Sequence, residues 1–242
     1  GVAEVQKKVL NDATQTVAGQ TAPEAWVNRG GNLPTWSRVG DFESDQPFST
    51  AAWIRPAADS PTASIIARMN PADGYRGWDM WLEGNKPGMH LVSKWPNQAL
   101  KADQWNHVVF TYDGSKKGSG IHCFVDGMEV ALTPHQDTLD GSIKTNVPFK
   151  LGARDSGSES IGVGVQEVKL FSGILNSTAI AALSRDARSR YIVSGNIAAI
   201  NDADRQSLFD YYLRRVDQLH QYLSRQLAET QRSLEEIEKR GT

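Results

Sequence analysis

The 242-residue sequence contains a single cysteine, Cys123. An internal disulfide is therefore excluded, and so is a zinc site built on clustered thiolates. No Cys-x-x-Cys-His run occurs, which excludes covalently attached haem from this chain. No Gly-x-Ser-x-Gly elbow marks an activated serine. No apolar run approaches the ~18 residues of a membrane span. Neither charge sign is in excess: the formal net charge is −2, which argues against nucleic acid or an anionic membrane as partner. A secretory leader is not visible, but the first residue is Gly1, so the chain reads as a segment of something longer. In "GIHCFVDG" Ile121, Cys123 and Val125 alternate with His122, Phe124 and Asp126, and Cys123 reads as a small buried hydrophobe.

What is present falls into zones of different period. Residues 1–18 space Val5 and Val9 as a helix would, and a polar, glycine-rich linker follows over 19–39. From 40 to about 190 short alternating segments recur between Asp-Gly and Gly-rich turns, which predicts an antiparallel sandwich rather than a parallel sheet. "STAIAALSRDAR" closes this zone as a short helix with Ser177 as its N-cap. Residues 202–240 contain no Gly or Pro and predict one long helix. Along it Val216, Leu219, Leu223, Leu227, Thr230, Leu234 and Ile237 form a coiled-coil-like seam with a stutter at Leu227. Such a stripe needs cover from the first helix, from the parent protein or from a second copy.

The segment "YRGWDMWLEGNKPGMHLVSKW" carries the strongest local pattern. Trp78, Met80 and Leu82 alternate with Asp79, Trp81 and Glu83 before a Gly/Asn/Pro turn, and alternation resumes beyond it. This predicts a β-hairpin with one buried face. A loop over Gly84–Pro87 would pair Glu83 with Gly88 and Trp81 with His90. Asp79, Trp81, Glu83, His90, Val92 and Lys94 would then share the outer face. Arg68 joins them from the adjacent strand if Ile65, Ala67 and Met69 face inward. Tyr75 and Arg76 form a rim in the preceding loop. An indole ringed by hydrogen-bonding groups suits a sugar, whose C–H face stacks while its hydroxyls need donors and acceptors. The alternative is that a neighbouring loop or domain covers Trp81.

The order of "FSTAAWIRP", Trp105-Asn106-His107-Val108, Thr111-Tyr112-Asp113-Gly114, Val125-Asp126-Gly127 and "VQEVKLFSGIL" resembles laminin-G-like domains of the concanavalin A-like lectin/glucanase group. The hairpin and the helical C-terminal zone are similar to those inside planctomycete multidomain proteins that also carry a cytochrome-c-like domain. The resemblance implies a mainly β fold, a two-sheet antiparallel jelly roll flanked by helices. It also implies an exported parent, at the periplasm or cell surface. Related domains often bind calcium through Asp side chains at the sandwich edge, which would fall to Asp113, Asp126 and Asp155 here.

Catalysis is not expected. The glucanase-like Glu-x-Asp-x-x-Glu run is absent, and Asp79 and Glu83 lie four strand residues apart, ~13 Å between Cα atoms, too far for a glycosidase pair. The sequence therefore points to a non-catalytic carbohydrate-binding module. A structural or protein-docking module, with the seam as its docking element, is the alternative.

Overall fold

The computed structural model describes residues 3–4, 16–22, 24–91, 94–96, 98–134, 139–195, 200 and 202–240. At Ala3, Glu4, Thr16, Lys94, Trp95, Pro96, Pro134 and Ala203 it describes the backbone alone. The chain divides into two compact units, residues 1–184 and 185–242.

The first unit is a β-sandwich. In chain order the strands begin with β1 (Ala3–Glu4), β2 (Thr16–Ala18), β3 (Glu24–Val27), β4 (Thr35–Trp36) and β5 (Phe48–Arg55). β6 (Ala63–Asn70), β7 (Arg76–Glu83), β8 (Lys86–His90), β9 (Lys94–Pro96) and β10 (Asn106–Tyr112) follow. The last are β11 (Ile121–Val125), β12 (Met128–Val130), β13 (Leu132–Pro134), β14 (Phe149–Leu151) and β15 (Gly164–Phe171). Among the described residues one sheet has the order β12-β11-β10-β5-β15-β3-β2, with β1 also on β15, and the other β13-β9-β8-β7-β6-β14-β4. Every pairing between these strands is antiparallel. The expected mainly β, two-sheet fold is the one observed.

One core fills the space between the sheets. Phe48, Ile54, Val108, Phe110 and Cys123 come from the first sheet and meet Ile66, Trp78, Met80, Leu82 and Phe149 from the second. Period two explains the selection, since each strand sends alternate side chains inward. Burial pushes the Cys123 thiol pKa well up, in keeping with its reading as a hydrophobe.

Several boundaries differ from the sequence reading. The expected helix over 1–18 is replaced at its described ends by strands, with Ala3 opposite Leu170 and Val17 opposite Ala25; residues 5–15 lie outside the described residues. Open backbone groups along β15 and β3 outweigh local helix propensity there. The expected linker over 19–39 contains β3 and β4, and β3 buries Ala25, Trp26 and Val27. Four residues were too few to show alternation between flanking glycines.

The helix α1 (Ser177–Val193) starts where expected, but its cap is Asn176, whose Oδ1 accepts from the Ala179 amide at 2.8 Å. In the second unit the long helix is two, α2 (Asp202–Arg215) and α3 (Gln218–Arg240). Asp217 makes the break: its Oδ1 accepts from the His220 amide at 2.7 Å, capping α3. No residue of α3 is buried, and Leu219, Leu223, Leu227, Leu234 and Ile237 of the seam are exposed in this chain. No described helix is long and apolar enough to cross a membrane.

Candidate functional site

The hairpin β7–β8 closes on a two-residue turn, Gly84-Asn85, with φ of 53° and 59°. Both values are left-handed, as a type I′ turn requires, and Gly and Asn are the residues that adopt it. The register is Glu83 to Lys86, Trp81 to Gly88 and Asp79 to His90. It differs from the expected register by two residues, which leaves the described side chains of β7 and β8 on their expected faces. Trp78, Met80 and Leu82 enter the core, and the Trp78 indole N–H donates to the Gly40 carbonyl at 2.8 Å.

On the opposite face Asp79 is 0 % exposed. A carboxylate without water needs donors that compensate its charge, and it has two. His90 Nδ1 donates to Asp79 Oδ1 at 2.7 Å, and Arg154 Nε donates to Asp79 Oδ2 at 2.7 Å. The short contact to a buried carboxylate assigns the His90 proton to Nδ1. Arg154 Nη2, 3.1 Å from that nitrogen, is then a neighbour and not a donor to it. Arg154 follows β14, and its guanidinium carbon lies 4.3 Å from the Trp81 ring centre and 5.1 Å from that of Tyr75. His90 meets Trp81 edge-on at 5.0 Å.

Trp81 is consequently not an open platform. It is 9 % exposed, and Arg154 covers its face. The exposed ring is Tyr75, at 59 %, held with φ 61° just before β7. A left-handed backbone is costly for a bulky residue, about 1–3 kcal/mol, so the surrounding structure must impose it. It does so from both sides. Gly77 lets β7 close on β6, since a Cβ there would stand 2.0 Å from the Arg68 carbonyl oxygen. Arg76 Nε donates to Asp73 Oδ2 at 2.8 Å across the same bend.

Tyr75, Arg76, His90 and Arg154 line a cavity of about 790 Å³, together with Met69, Asp73, Leu139, Asp140, Ser142 and Ile143. Glu43 pins the far wall. It accepts from the Ser44 amide at 2.6 Å, the Ser142 hydroxyl at 2.7 Å and the Ile143 amide at 3.2 Å. These bonds, the Ser44 amide foremost, lower the Glu43 pKa from 4.5 to about 2.

The remaining expected site residues separate from this cluster. Arg68 was assigned outward, but a bulge in β6 takes Ile65 out of the pairing, so that Ser64 faces Trp81 and Ile66 faces Met80. Parity beyond the bulge inverts. Arg68 therefore lies opposite core Trp78 and donates to the carbonyls of Ser37, Val39 and Thr145, while Met69 lines the cavity. Glu83 sits exposed at the end of β7, opposite Lys86 and away from the cavity lining. The side chain of Lys94, like Val92, lies outside the described residues.

The calcium expectation names acids that the fold disperses. Asp113 and Asp126 follow opposite ends of the β10–β11 pair; Asp113 accepts from the Ser115 amide in its own turn and Asp126 from the His107 amide of β10, at 2.8 Å each. Asp155 follows β14 in the other sheet, so no one ion could take all three. Among the described residues no group of three or more His, Cys, Asp or Glu could hold a metal ion.

Arg154 was missed by the sequence reading. The only signal for it was indirect: an Asp in mid-strand, between core residues 78 and 80, demands a buried cation. Nothing local says that the cation is 75 residues away.

The family model for the concanavalin A-like lectin/glucanases superfamily matches residues 28–181. The chain belongs to this superfamily. No curated protein matches it in sequence. Among solved structures it is similar to the binding domain of Paraclostridial Mosquitocidal Protein 1, with 14% identity and a TM-score of 0.51 over 71% of this chain and 45% of that one. Domain 4 of AbnA, an extracellular arabinanase from Geobacillus stearothermophilus solved with arabinotriose, is 17% identical with a TM-score of 0.49, covering 70% of this chain and 80% of that one. A Trypanosoma rangeli sialidase is 16% identical with a TM-score of 0.49, covering 70% of this chain and 28% of that one. At these identities the likeness is one of fold. A shared fold does not establish catalysis.

Proposed function

We propose that this chain is a non-catalytic carbohydrate-binding module of a larger protein, and that its sugar site is the cavity bordered by Tyr75, Arg76, His90 and Arg154. The observation that carries this reading is Tyr75: an exposed ring, fixed in a strained backbone at a cavity wall, beside an immobilised guanidinium. Strain kept at one exposed aromatic fits a ring placed for a ligand. Tyr75 supplies an apolar face, and Arg76, Asp73, Asp140 and Ser142 supply donors and acceptors for hydroxyls. Asp79, although central, acts through Arg154 and His90, because it has no access to a ligand.

Titration of the chain with neutral oligosaccharides tests this reading. Tyr75→Ala should weaken binding by at least ~1 kcal/mol with little change in stability. Trp81→Ala, which removes a buried ring beneath Arg154, should instead lower stability by ~3–5 kcal/mol. Saccharide binding that Tyr75→Ala leaves unchanged would place the site elsewhere.

A second reading rests on the exposed seam of α3, an apolar row about 30 Å long at the helical rise of ~1.5 Å per residue. In that reading the chain docks through α3 to other domains or to a second copy. Sedimentation over a wide concentration range, with Leu227→Glu as control, separates it. Concentration-dependent association that the variant abolishes supports self-docking; a monomer throughout removes the second copy as occupant.

A further inference from the structure

The walls of the cavity say something about the charge of what it holds. Its cations are already engaged: Arg154 with buried Asp79 at 2.7 Å and Arg76 with Asp73 at 2.8 Å. The Nδ1–H of His90 is engaged as a hydrogen-bond donor to Asp79. Asp140, by contrast, is exposed on the cavity wall and has no ion pair or hydrogen bond among the described residues. Each of the two guanidinium groups thus has its own carboxylate, and the carboxylate on the wall left without a cation is Asp140.

An anionic ligand could draw a guanidinium to itself in two ways, and both are obstructed. Taking Arg154 from Asp79 would strand a carboxylate that no water reaches. Taking Arg76 from Asp73 would leave Asp73 and Asp140 as two uncompensated carboxylates on the wall. A neutral sugar meets neither obstacle. The N–H groups that Arg154 and Arg76 do not spend on their partners can donate to hydroxyls, and the carboxylate of Asp140 can accept from them. Tyr75 offers the same stacking surface to either ligand.

We infer that the cavity selects an uncharged sugar and rejects uronates, sialates and sulfated glycans, with Asp140 as the rejecting group. This inference rests on the carbohydrate reading above and adds the ligand's charge to it.

The test is a matched pair of probes, galactotriose and trigalacturonate, titrated into the full chain at low and high salt. The neutral trisaccharide should bind and lose affinity in Tyr75→Ala. The uronate should bind at least about five-fold more weakly, the scale of one like charge at contact in a solvated wall. Raising salt to ~0.5 M should narrow that gap, because repulsion between exposed charges is screened. Asp140→Asn should narrow it too, by improving the uronate and leaving the neutral sugar unchanged. Uronate binding as tight as or tighter than the neutral sugar, weakened by salt, overturns the inference but leaves the site in place. Failure of neutral and acidic saccharides alike, across a panel of linkages, overturns the carbohydrate reading and this inference with it.

Discussion

The molecule builds the same pair of rings twice, once on each sheet, and uses the two differently. On the first sheet Trp53 lies directly opposite His107, with ring centres 5.1 Å apart. On the second Trp81 meets His90 at 5.0 Å. Both histidines lie on strand faces turned away from the central core, where Trp53 shares its face with Ala51 and Val109. His107 is buried, and among the described residues its side chain has no carboxylate partner and its Nδ1 makes no hydrogen bond. Burial first, and the Lys169 charge second, push its pKa from 6.5 down to about 3. His90 has a buried carboxylate on one side, a guanidinium beside it and a cavity in front. An aromatic–imidazole pair is thus packing by default. Only the second case, with Asp79, Arg154 and an exposed tyrosine, makes the pair part of a candidate site.

The sharpest way to break this contrast is to remove Arg154. Arg154→Met should destabilise by ~3–5 kcal/mol in urea denaturation, because it leaves a buried charge unpaired. Removing both charges, in Arg154→Met with Asp79→Leu, should recover much of that loss. The matching change on the other sheet, His107→Leu, strands no charge and should cost far less at pH 7. Equal losses at the two sites would mean that the buried pair contributes packing alone.

The pH dependence of stability divides the two histidines next. His107 stays neutral in the folded state down to about pH 3, whereas the unfolded chain protonates it near 6.5. The unfolded state therefore binds more protons between these values, and stability falls as pH falls from 6.5 towards 3. By pH 4.5 the loss from this one group should reach about 2–3 kcal/mol. Glu43 acts in a lower window. Its pKa is depressed from 4.5 to about 2, so its contribution is complete above 4.5 and is lost as pH falls towards 2. Asp126, whose pKa burial raises above 3.8, acts with the opposite sign. The difference in urea midpoints between wild type and His107→Leu from pH 7 to 4.5 consequently isolates His107, and the variant should flatten that part of the profile. A profile that keeps its slope in the variant would assign the effect to another group.

Much of this geometry was legible in the sequence, and the exceptions have physical causes. Alternation in β7 sorted Trp78, Met80 and Leu82 from Asp79 and Trp81, because a strand has only two faces. The turn was misjudged by two residues without harm, since a shift of two preserves parity. One extra residue in β6 was not harmless: the bulge at Ile65 placed Arg68 on the wrong face, and in a run as apolar as "SIIARM" nothing marks it. Tyr75 and Arg76 were visible as a rim. Trp81 was misread as open because its cover, Arg154, comes from a loop far along the chain. Asp140, Ser142 and Ile143 were invisible for the same reason, as loops carry no period that assigns them a neighbour. In the last helical zone, absence of Gly and Pro suggested continuity, yet Asp217 caps a new helix through its own side chain.

The smallest expected effect concerns Tyr75 and sets stability against binding. Its φ of 61° is a conformation that Gly adopts without strain and tyrosine does not. Tyr75→Gly should therefore raise stability by up to ~1 kcal/mol if release of strain exceeds the flexibility gained by the unfolded chain. It should at the same time reduce saccharide affinity by ~1 kcal/mol or more, through loss of the stacking face. Tyr75→Ala separates the two contributions, since it removes the ring but keeps the strained backbone. It should bind as poorly as the glycine variant and be the less stable of the two. The paired readouts are thermal melting and calorimetric titration with a neutral oligosaccharide. Opposite signs mark a ring held for a ligand at some cost to the fold. If both variants lose stability by about as much as Trp81→Ala, the tyrosine serves as a lid on Arg154, and the second sheet's ring pair is packing like the first.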